Sequence, residues 1–235
     1  WPQLYGDVTD WKEFYEYNRK YFLDERYIKI DNKPIYIIFA DWHFKEIDSF
    51  IDCWNKWAIE DGFNGIFFVK TDDAHSKKGL GKFNASYRRE PFYTFGNKLG
   101  ILGMGNRLVK RKGLPVLNKI LSKYNKGIVS YKYDYEKLWK SICKNDLNES
   151  SIPGMIADWD NTARKGYNGQ VLTGVSIDIF EEYFEKLLKK SNENNVPFIM
   201  INAWNEWAEG AYLEPDTMNG YKYLQAIEKV TKKWL

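Results

Sequence analysis

Residues 35–69, with the sequence IYIIFADWHFKEIDSFIDCWNKWAIEDGFNGIFFV, contain two apolar runs separated by a segment of helical character. The runs 35–40 (IYIIFA) and 65–69 (GIFFV) are continuous, as in strands that are buried on both faces of a parallel sheet. Between them, apolar residues from position 47 to position 58 recur at helical spacing, and Gly62 stands where a helix is expected to stop. This strand–helix–strand unit predicts an α/β fold.

The rest of the chain repeats the alternation of strand and helix. Residues 155–157 and 197–201 (PFIMI) predict two further strands, and helical patterns begin near Asp10, follow Ser176 as an N-cap and close the chain over 223–234. About four or five strands are recognisable, whereas a closed (β/α) barrel needs eight. The residues alone therefore leave a barrel and a doubly wound open sheet as alternatives.

The middle of the chain, from about residue 72 to residue 151, has a less regular pattern. It includes a run from Gly96 to Gly113 with five glycines and several basic residues. We expect a long excursion over one end of the sheet, either functional or a flexible surface insertion.

Composition excludes several classes of protein. With 235 residues, 44% hydrophobic and 29% charged, the chain can bury a sizeable core and is not intrinsically disordered. Long apolar segments are absent, so no membrane span is predicted. The net charge of +3 without a prominent basic block gives no support for a nucleic-acid partner or a membrane-surface role.

Cofactor and metal sites are not expected either. Two cysteines and two histidines are too few for a disulfide framework or for most histidine-built metal centres, so we predict no cofactor, no obligatory metal and a cytoplasmic location. Glycine-rich phosphate loops are missing after every predicted strand, which counts against nucleotide binding.

Carboxylates, mostly beside a tryptophan, follow each predicted strand. The four segments are 41–43 (DWH), 70–73 (KTDD), 158–161 (DWDN) and 202–209 (NAWNEWAE). Since ligands of parallel α/β folds bind at the carboxyl ends of the strands, these segments predict one cleft lined by acids and aromatic faces. Such a cleft favours a neutral sugar. The 17% aromatic content also fits a tryptophan-rich core, which is the alternative.

The last strand end carries a pair of glutamates. Glu206 and Glu209 are three residues apart, which in a helical turn puts their Cβ atoms on one face, about 5–6 Å apart. Glycoside hydrolysis uses such a pair of carboxylates as acid and base or nucleophile. A capping or solvated glutamate pair is the alternative. His43, two residues after Asp41, is either a substrate contact or a hydrogen-bonded core residue.

Three segments carry a family resemblance. Residues 201–216 (INAWNEWAEGAYLEPD) closely resemble the signature of the WbsX family, and 153–164 and 24–38 are similar to its other elements. These proteins are glycoside hydrolase family 99-like, are often labelled glycosyltransferases, and belong to bacterial surface-polysaccharide biosynthesis.

The resemblance implies a (β/α) TIM-type barrel, of which only the C-terminal part is evident in this chain, in a single domain over residues 1–235. It implies that Glu206 is the base acting on the sugar 2-hydroxyl and that Glu209 is the general acid/base at the glycosidic oxygen, in a retaining reaction. The residues that it places in sugar subsites are Trp204, Asn205, Trp207, Glu214, Asp160, Asn161 and Arg164. The strand-end pattern adds Trp159, Asp41 and His43 to the expected substrate contacts.

The expected substrate is an oligosaccharide or polysaccharide of the O-antigen or capsule type. N-terminal strands of the family are not evident, which leaves three alternatives. The sequence is a fragment, or it is a subunit that forms a barrel together with another chain, or it is a degenerate member of the family. Another alternative is a glycan-binding module without catalysis that uses the same tryptophans.

Overall fold

A computed structural model describes residues 4–39, 41–72, 79–97, 113–124, 127 and 131–234. The chain divides into two compact units, Trp1–Arg88 with Glu149–Ile152 and Arg89–Asn148 with Pro153–Leu235. Each unit has its own hydrophobic core. Asp73 and most of the glycine-rich run from Gly96 to Gly113 lie outside the described residues.

The first unit is built on a mostly parallel sheet. Its strand order is β1 (Lys29–Ile30), β2 (Lys33–Ile38), β3 (Phe67–Asp72), β4 (Ala85–Arg88) and β6 (Ser151–Ile152). Strands β2, β3, β4 and β6 run parallel, and β1 pairs antiparallel with β2. The register of β2 against β3 pairs Ile37 with Val69, so the two apolar runs of the sequence lie side by side.

Two helices of the first unit, α1 (Val8–Phe22) and α2 (Ile47–Glu60), pack against each other. α1 begins two residues earlier than the apolar pattern suggests, because Asp7 accepts hydrogen bonds from the backbone N–H groups of Thr9 and Asp10 and caps the helix. Trp54 of α2 is fully buried at the centre of this core. The rings that surround it are Phe14, Tyr15, Phe22, Tyr36, Phe50 and Phe68.

The second unit combines short parallel strand pairs with helices. Its helices are α3 (Phe92–Asn97), α4 (Leu114–Leu121), α5 (Tyr135–Lys144), α6 (Thr162–Lys165), α7 (Ile177–Glu193) and α8 (Lys222–Trp234). Its strands are β5 (Tyr131–Asp134), β7 (Gly154–Ile156), β8 (Gln170–Thr173), β9 (Met200–Asn202), β10 (Asn205–Glu206) and β11 (Ala211–Tyr212). β5 pairs parallel with β8, β7 pairs parallel with β9, and β10 with β11 forms an antiparallel hairpin.

Helices α5 and α8 both pack on α7 and cover the core of the second unit. Trp139 of α5 is fully buried there and packs against Phe180 and Tyr183 of α7. As the sequence predicts, Ser176 caps α7, with its hydroxyl accepting from the Ile179 N–H.

The middle of the chain is more regular than the sequence pattern indicates. Within residues 72–151, the described part contains β4, α3, α4, β5 and α5. The prediction of a long irregular excursion is therefore wrong for those segments. The strands that it missed have four residues each and alternate apolar with polar side chains, so they lack the continuous apolar run that marks β2.

The fold is α/β, as the sequence predicts. Among the described residues, no helix is long and apolar enough to cross a lipid bilayer.

Candidate active site

Two neighbouring strands of the second unit bring two of the predicted acidic segments together. β7 and β9 are parallel and in register from Gly154 opposite Met200 to Ile156 opposite Asn202. The segments that follow, starting at Asp158 and at Trp204, therefore leave the pair at the same end. This end is where parallel α/β folds bind ligands.

The glutamate pair lies in a tight hairpin. Glu206 ends β10 opposite Ala211, and a single 3₁₀ turn, Trp207–Glu209, connects β10 to β11. Gly210 closes the turn with a φ of +63°, in the left-handed region that favours glycine. The pair thus belongs to a hairpin and not to the start of an α-helix.

Glu209 is held by two contacts with the segment after β7. Its carboxylate forms an ion pair with the guanidinium of Arg164 on α6, and its backbone carbonyl accepts from the Asp160 N–H at 2.8 Å. Asp160 in turn accepts from the N–H and the hydroxyl of Thr162, which starts α6. Helix α6, which carries Arg164, is therefore anchored to Asp160, whose backbone N–H also positions Glu209. The Glu206 side chain is exposed.

The hairpin presents an aromatic surface. The Trp207 ring stacks on the Tyr212 ring with centroids 3.8 Å apart and an angle of 16° between their planes. The Trp207 indole N–H donates to Glu214 at 2.6 Å. The Trp204 carbonyl accepts from the N–H groups of Leu213 and Glu214, and Trp204 and Trp207 are 54% and 49% exposed. The exposed part of the Trp207 indole, held in place by Tyr212 and Glu214, suits the C–H face of a sugar.

A further carboxyl, Asp158, lies two residues after the end of β7. It accepts from the Trp159 N–H at 2.6 Å. Burial, with a smaller contribution from the charge of Asp160, raises the pKa of Asp158 to about 6 against the effect of that hydrogen bond. Asp158 can therefore exchange a proton near neutral pH, which the sequence did not indicate.

Two of the predicted substrate contacts are structural residues. Trp159 is fully buried and packs edge-on against Phe92, so its ring is not available for stacking on a sugar. Asn161 is also buried, and its side-chain oxygen accepts from the Gln170 N–H at 2.7 Å. Their prediction as sugar contacts is corrected: both fix the segment that carries Asp160 and Arg164.

Asp41 and His43 belong to the first unit, whereas the other predicted site residues belong to the second. Asp41 is buried and forms an ion pair with Lys70 of β3 at 3.4 Å. His43 is exposed at the end of a 3₁₀ turn, Asp41–His43, and its ring lies near Trp42. The burial of Asp41 indicates a structural ion pair.

No group of three or more metal-ligating side chains comes together among the described residues. The Cys143 thiol is largely buried, and this burial raises its pKa to about 11, which keeps it neutral. In the candidate site, the possible oxygen ligands are the carboxylates of residues 158, 160, 206, 209 and 214. Of these, Glu209 and Glu214 already bind Arg164 and Trp207.

A family model described as Glycosyltransferase WbsX matches residues 1–227, nearly the whole chain. The chain belongs to the WbsX family. A curated relative, WxcX of Xanthomonas campestris pv. campestris strain B100, is 22% identical over 216 residues. That alignment covers 89% of this chain but only 28% of WxcX, which carries the description "uncharacterized protein".

Solved structures similar to this WbsX family member are glycoside hydrolase folds. A glycoside hydrolase-like protein superposes with a TM-score of 0.56 at 11% identity, over 95% of this chain and 61% of that one. The GH99 endo-α-mannosidase of Bacteroides thetaiotaomicron, in complex with bis-tris propane, gives 0.53 at 13% identity, over 99% and 68% of the two chains. The likeness supports the α/β fold and its relation to GH99 structures.

Tyr212 is a site residue that sequence reasoning missed in this WbsX family member, whereas Asp158 lies in a segment predicted to line the cleft and only its raised pKa was not foreseen. Tyr212 lies in the signature segment, but its stacking on Trp207 depends on the hairpin register, which no local pattern shows. Asp158 had a usable signal, since it is the first acid after a fully apolar strand.

Proposed function

We propose that this chain is a carbohydrate-active enzyme that cleaves or transfers glycosidic bonds of a bacterial surface polysaccharide of the O-antigen or capsule type. The single observation that carries the proposal is the hairpin that presents Glu206, Arg164-bound Glu209 and the exposed Trp207 ring beside the ends of β7 and β9. Membership of the WbsX glycosyltransferase family and the glycoside hydrolase fold of its structural neighbours support it.

In the proposed reaction, Glu206 removes the proton of the sugar 2-hydroxyl while that oxygen attacks the anomeric carbon. Glu209 gives its proton to the departing glycosidic oxygen, and a 1,2-anhydro sugar forms. Water or an acceptor hydroxyl then opens this ring, with its proton going to Glu209, while Glu206 returns a proton to the 2-oxygen. The anomeric configuration is retained because inversion occurs twice.

The ion pair with Arg164 adds a requirement to this sequence. The Arg164 guanidinium occupies the Glu209 carboxylate, which in the first step has to face the departing glycosidic oxygen. A bound sugar must therefore displace Arg164 from Glu209 before the leaving oxygen can be protonated. Arg164 is then free to bind a substrate hydroxyl or an acidic sugar substituent.

Incubation with bacterial surface oligosaccharides, followed by mass analysis of products, tests the proposal. Glu206→Gln and Glu209→Gln should each lower turnover at least about a thousandfold with folding intact. Glu182→Gln, an exposed glutamate on α7, is the matched control and should retain full activity. Full activity in both hairpin variants would show that the pair is structural.

A glycan-binding module without catalysis is the second candidate, favoured by the exposure of Trp204 and Trp207. Under that function, glycan binds without product release, Glu209→Gln leaves the affinity unchanged, and Trp207→Ala lowers it.

A strand from another chain remains part of the proposal for the first unit. Among the described residues, no strand pairs with the outer edge of β2 beyond Pro34, and an open cavity of about 690 Å³ adjoins this strand. Unpaired edges of this kind favour strand addition. Sedimentation velocity should show association that Ile37→Lys weakens. A chain that stays monomeric at high concentration argues against a second copy.

The proposed cytoplasmic location is tested by cell fractionation.

A further inference from the structure

Positive charge is concentrated in one part of the sequence. Residues 91–133 contain nine lysines and arginines and no aspartate or glutamate, whereas the remainder has 26 basic and 32 acidic residues. The whole-chain value of +3 averages these two parts. The sequence-based statement that no basic block stands out is therefore corrected.

Helix α4, within this basic segment, exposes three apolar residues while it buries a polar one. Its polar Asn118 is 5% exposed, while Val116 is 62%, Leu117 42% and Ile120 54% exposed. Helices of water-soluble units normally bury their apolar face and expose their polar one. The described parts of the protein leave this apolar face uncovered, which marks an interaction surface.

The exposed apolar residues lie on one side of α4. Val116 and Ile120 are four residues apart, Leu117 lies beside them, and Tyr124, 72% exposed, continues the face in the 3₁₀ turn Ser122–Tyr124. We call these four residues the α4 apolar face. Lys119 and Lys123, also four residues apart and exposed, lie along one edge of this face. Long basic side chains at such an edge can reach phosphates while their stems stay on apolar surface.

Helix α4 is connected to the candidate active site by packing. It contacts the 3₁₀ turn Gly166–Asn168, which directly follows α6. α6 carries Arg164, the partner of Glu209. The α4 apolar face therefore belongs to a segment that touches the same local structure as the glutamate pair.

We propose that α4 docks on the surface of an anionic lipid membrane, with the α4 apolar face inserted between headgroups and with Lys119 and Lys123 at lipid phosphates. A basic amphipathic helix of this kind lies in the plane of the interface and does not cross the bilayer. Adjacent basic residues strengthen its attraction to anionic lipid. A nucleic acid is the weaker partner, because phosphates explain the lysines and not the exposed Val116, Leu117 and Ile120.

The inference goes beyond the proposed function and does not depend on it. Where both hold, a glycan carried on a membrane lipid would reach the glutamate pair without leaving the bilayer surface. Glu206→Gln keeps the α4 apolar face intact, so it should abolish turnover and retain membrane binding. This variant separates failure of one proposal from failure of the other.

Vesicle flotation with the full chain tests the inference. The probes are large unilamellar vesicles of equal parts phosphatidylglycerol and phosphatidylcholine, compared with vesicles of phosphatidylcholine alone. We expect binding to the anionic vesicles that is at least about tenfold stronger and that weakens at high salt. No binding, or equal binding to both vesicles, would overturn the proposal.

Variants assign the binding to α4. Val116→Ser combined with Ile120→Ser should lower vesicle affinity about tenfold, and Lys119→Gln with Lys123→Gln should lower it mainly at low salt. Ile59→Ser, an exposed isoleucine on α2, is the matched control and should bind as the parent does. Circular dichroism checks that each variant is folded.

Two other results would contradict a membrane partner. Tight binding of a single-stranded oligonucleotide that survives Val116→Ser with Ile120→Ser, together with weak vesicle binding, would indicate nucleic acid. Self-association that this double variant abolishes, without vesicle binding by the parent, would indicate a second copy of the chain on the α4 apolar face.

Discussion

The Asp158 carboxyl is ionisable at a position where ionisation is unfavourable. Below about pH 4 it is neutral in both the folded and the unfolded chain, so its burial carries no additional penalty. Burial raises its pKa in the folded state to about 6, so ionisation above that pH is opposed by desolvation. The folded protein therefore loses stability at Asp158 as the pH rises from about 4 through about 6. An acid retained despite such a penalty is a candidate for proton transfer.

Asp158→Asn should stabilise the protein in a pH-dependent way. The asparagine oxygen can still accept from the Trp159 N–H, while the charge is removed. We expect little change at pH 4 and a gain of up to about 3 kcal/mol in the free energy of unfolding at pH 8. Urea unfolding at the two pH values measures it, with Glu193→Gln, an exposed residue, as control. An equal effect at both pH values would exclude desolvation as the cause.

Gly210 is required both by its backbone conformation and by its surroundings. With a φ of +63°, a Cβ atom there would lie 2.9 Å from the Asp160 backbone nitrogen, which hydrogen bonds to the Glu209 carbonyl. An added methyl group would therefore push apart the two segments that position Glu209 and Arg164.

Gly210→Ala should lower the stability of the protein by more than the positive φ of this residue alone explains. Gly174, with a φ of +75° and open space around its Cβ position, gives the matched control. We expect Gly174→Ala to lose about 1 kcal/mol of stability, and Gly210→Ala to lose at least about 2 kcal/mol and most of the activity. Chemical denaturation and the glycan assay measure both variants. Equal losses of stability in the two variants would show that the short distance to the Asp160 nitrogen does not constrain the side chain at position 210.

At the scale of secondary structure, the elements with strong local patterns were predictable. Runs such as 35–40 and 65–69 need no partner to be recognised, because both faces of a buried strand are apolar. Strand β5 (YKYD) has no such run and is stabilised by its pairing with β8, about forty residues later in the chain. Pairing at that distance leaves no local signal, so β5 was missed.

The candidate site likewise has features that the sequence predicts and features that it does not. The carboxylates at strand ends were predictable because chain order alone places them after apolar runs. The burial of Trp159 was not, since an indole beside acids has the same sequence signature whether it faces a cleft or the core. The hairpin geometry of Glu206 and Glu209 depends on Gly210 and on the pairing of β10 with β11.

The β10–β11 hairpin is short and depends on side chains for its stability. Only two residue pairs join its strands, and Trp207 adds the stack on Tyr212 and the hydrogen bond to Glu214. Trp207→Ala should therefore raise amide hydrogen exchange in residues 205–212 about tenfold, which corresponds to about 1.4 kcal/mol of local stability.

Trp204→Ala is the matched control for this hairpin, because its exposed ring stacks on no other ring among the described residues. Its backbone carbonyl, which accepts from Leu213 and Glu214, is unaffected by the substitution. Exchange in 205–212 should stay as in the parent. If Trp204→Ala opens the hairpin as much as Trp207→Ala does, the stack and the Glu214 bond are not what stabilises it.

At the scale of the whole molecule, two separate cores raise the question of cooperativity. Trp54 belongs to the core of the first unit and Trp139 to that of the second, and both are fully buried. The sequence predicts one domain, and a single family model spans residues 1–227. The chain also returns to the first unit after entering the second, because β6 (residues 151–152) pairs with β4 in the sheet of the first unit.

Trp54→Ala and Trp139→Ala should nevertheless act locally. Each substitution leaves a large cavity and should cost about 3–5 kcal/mol in the unit that contains it. Because contacts concentrate within each unit, we expect Trp54→Ala to raise hydrogen exchange in α1, α2 and β3, and Trp139→Ala to raise it in α5, α7 and α8. Mass spectrometry of peptic fragments measures both. Equal acceleration in both units by either variant would mean that the chain unfolds as one cooperative domain, as the sequence alone predicts.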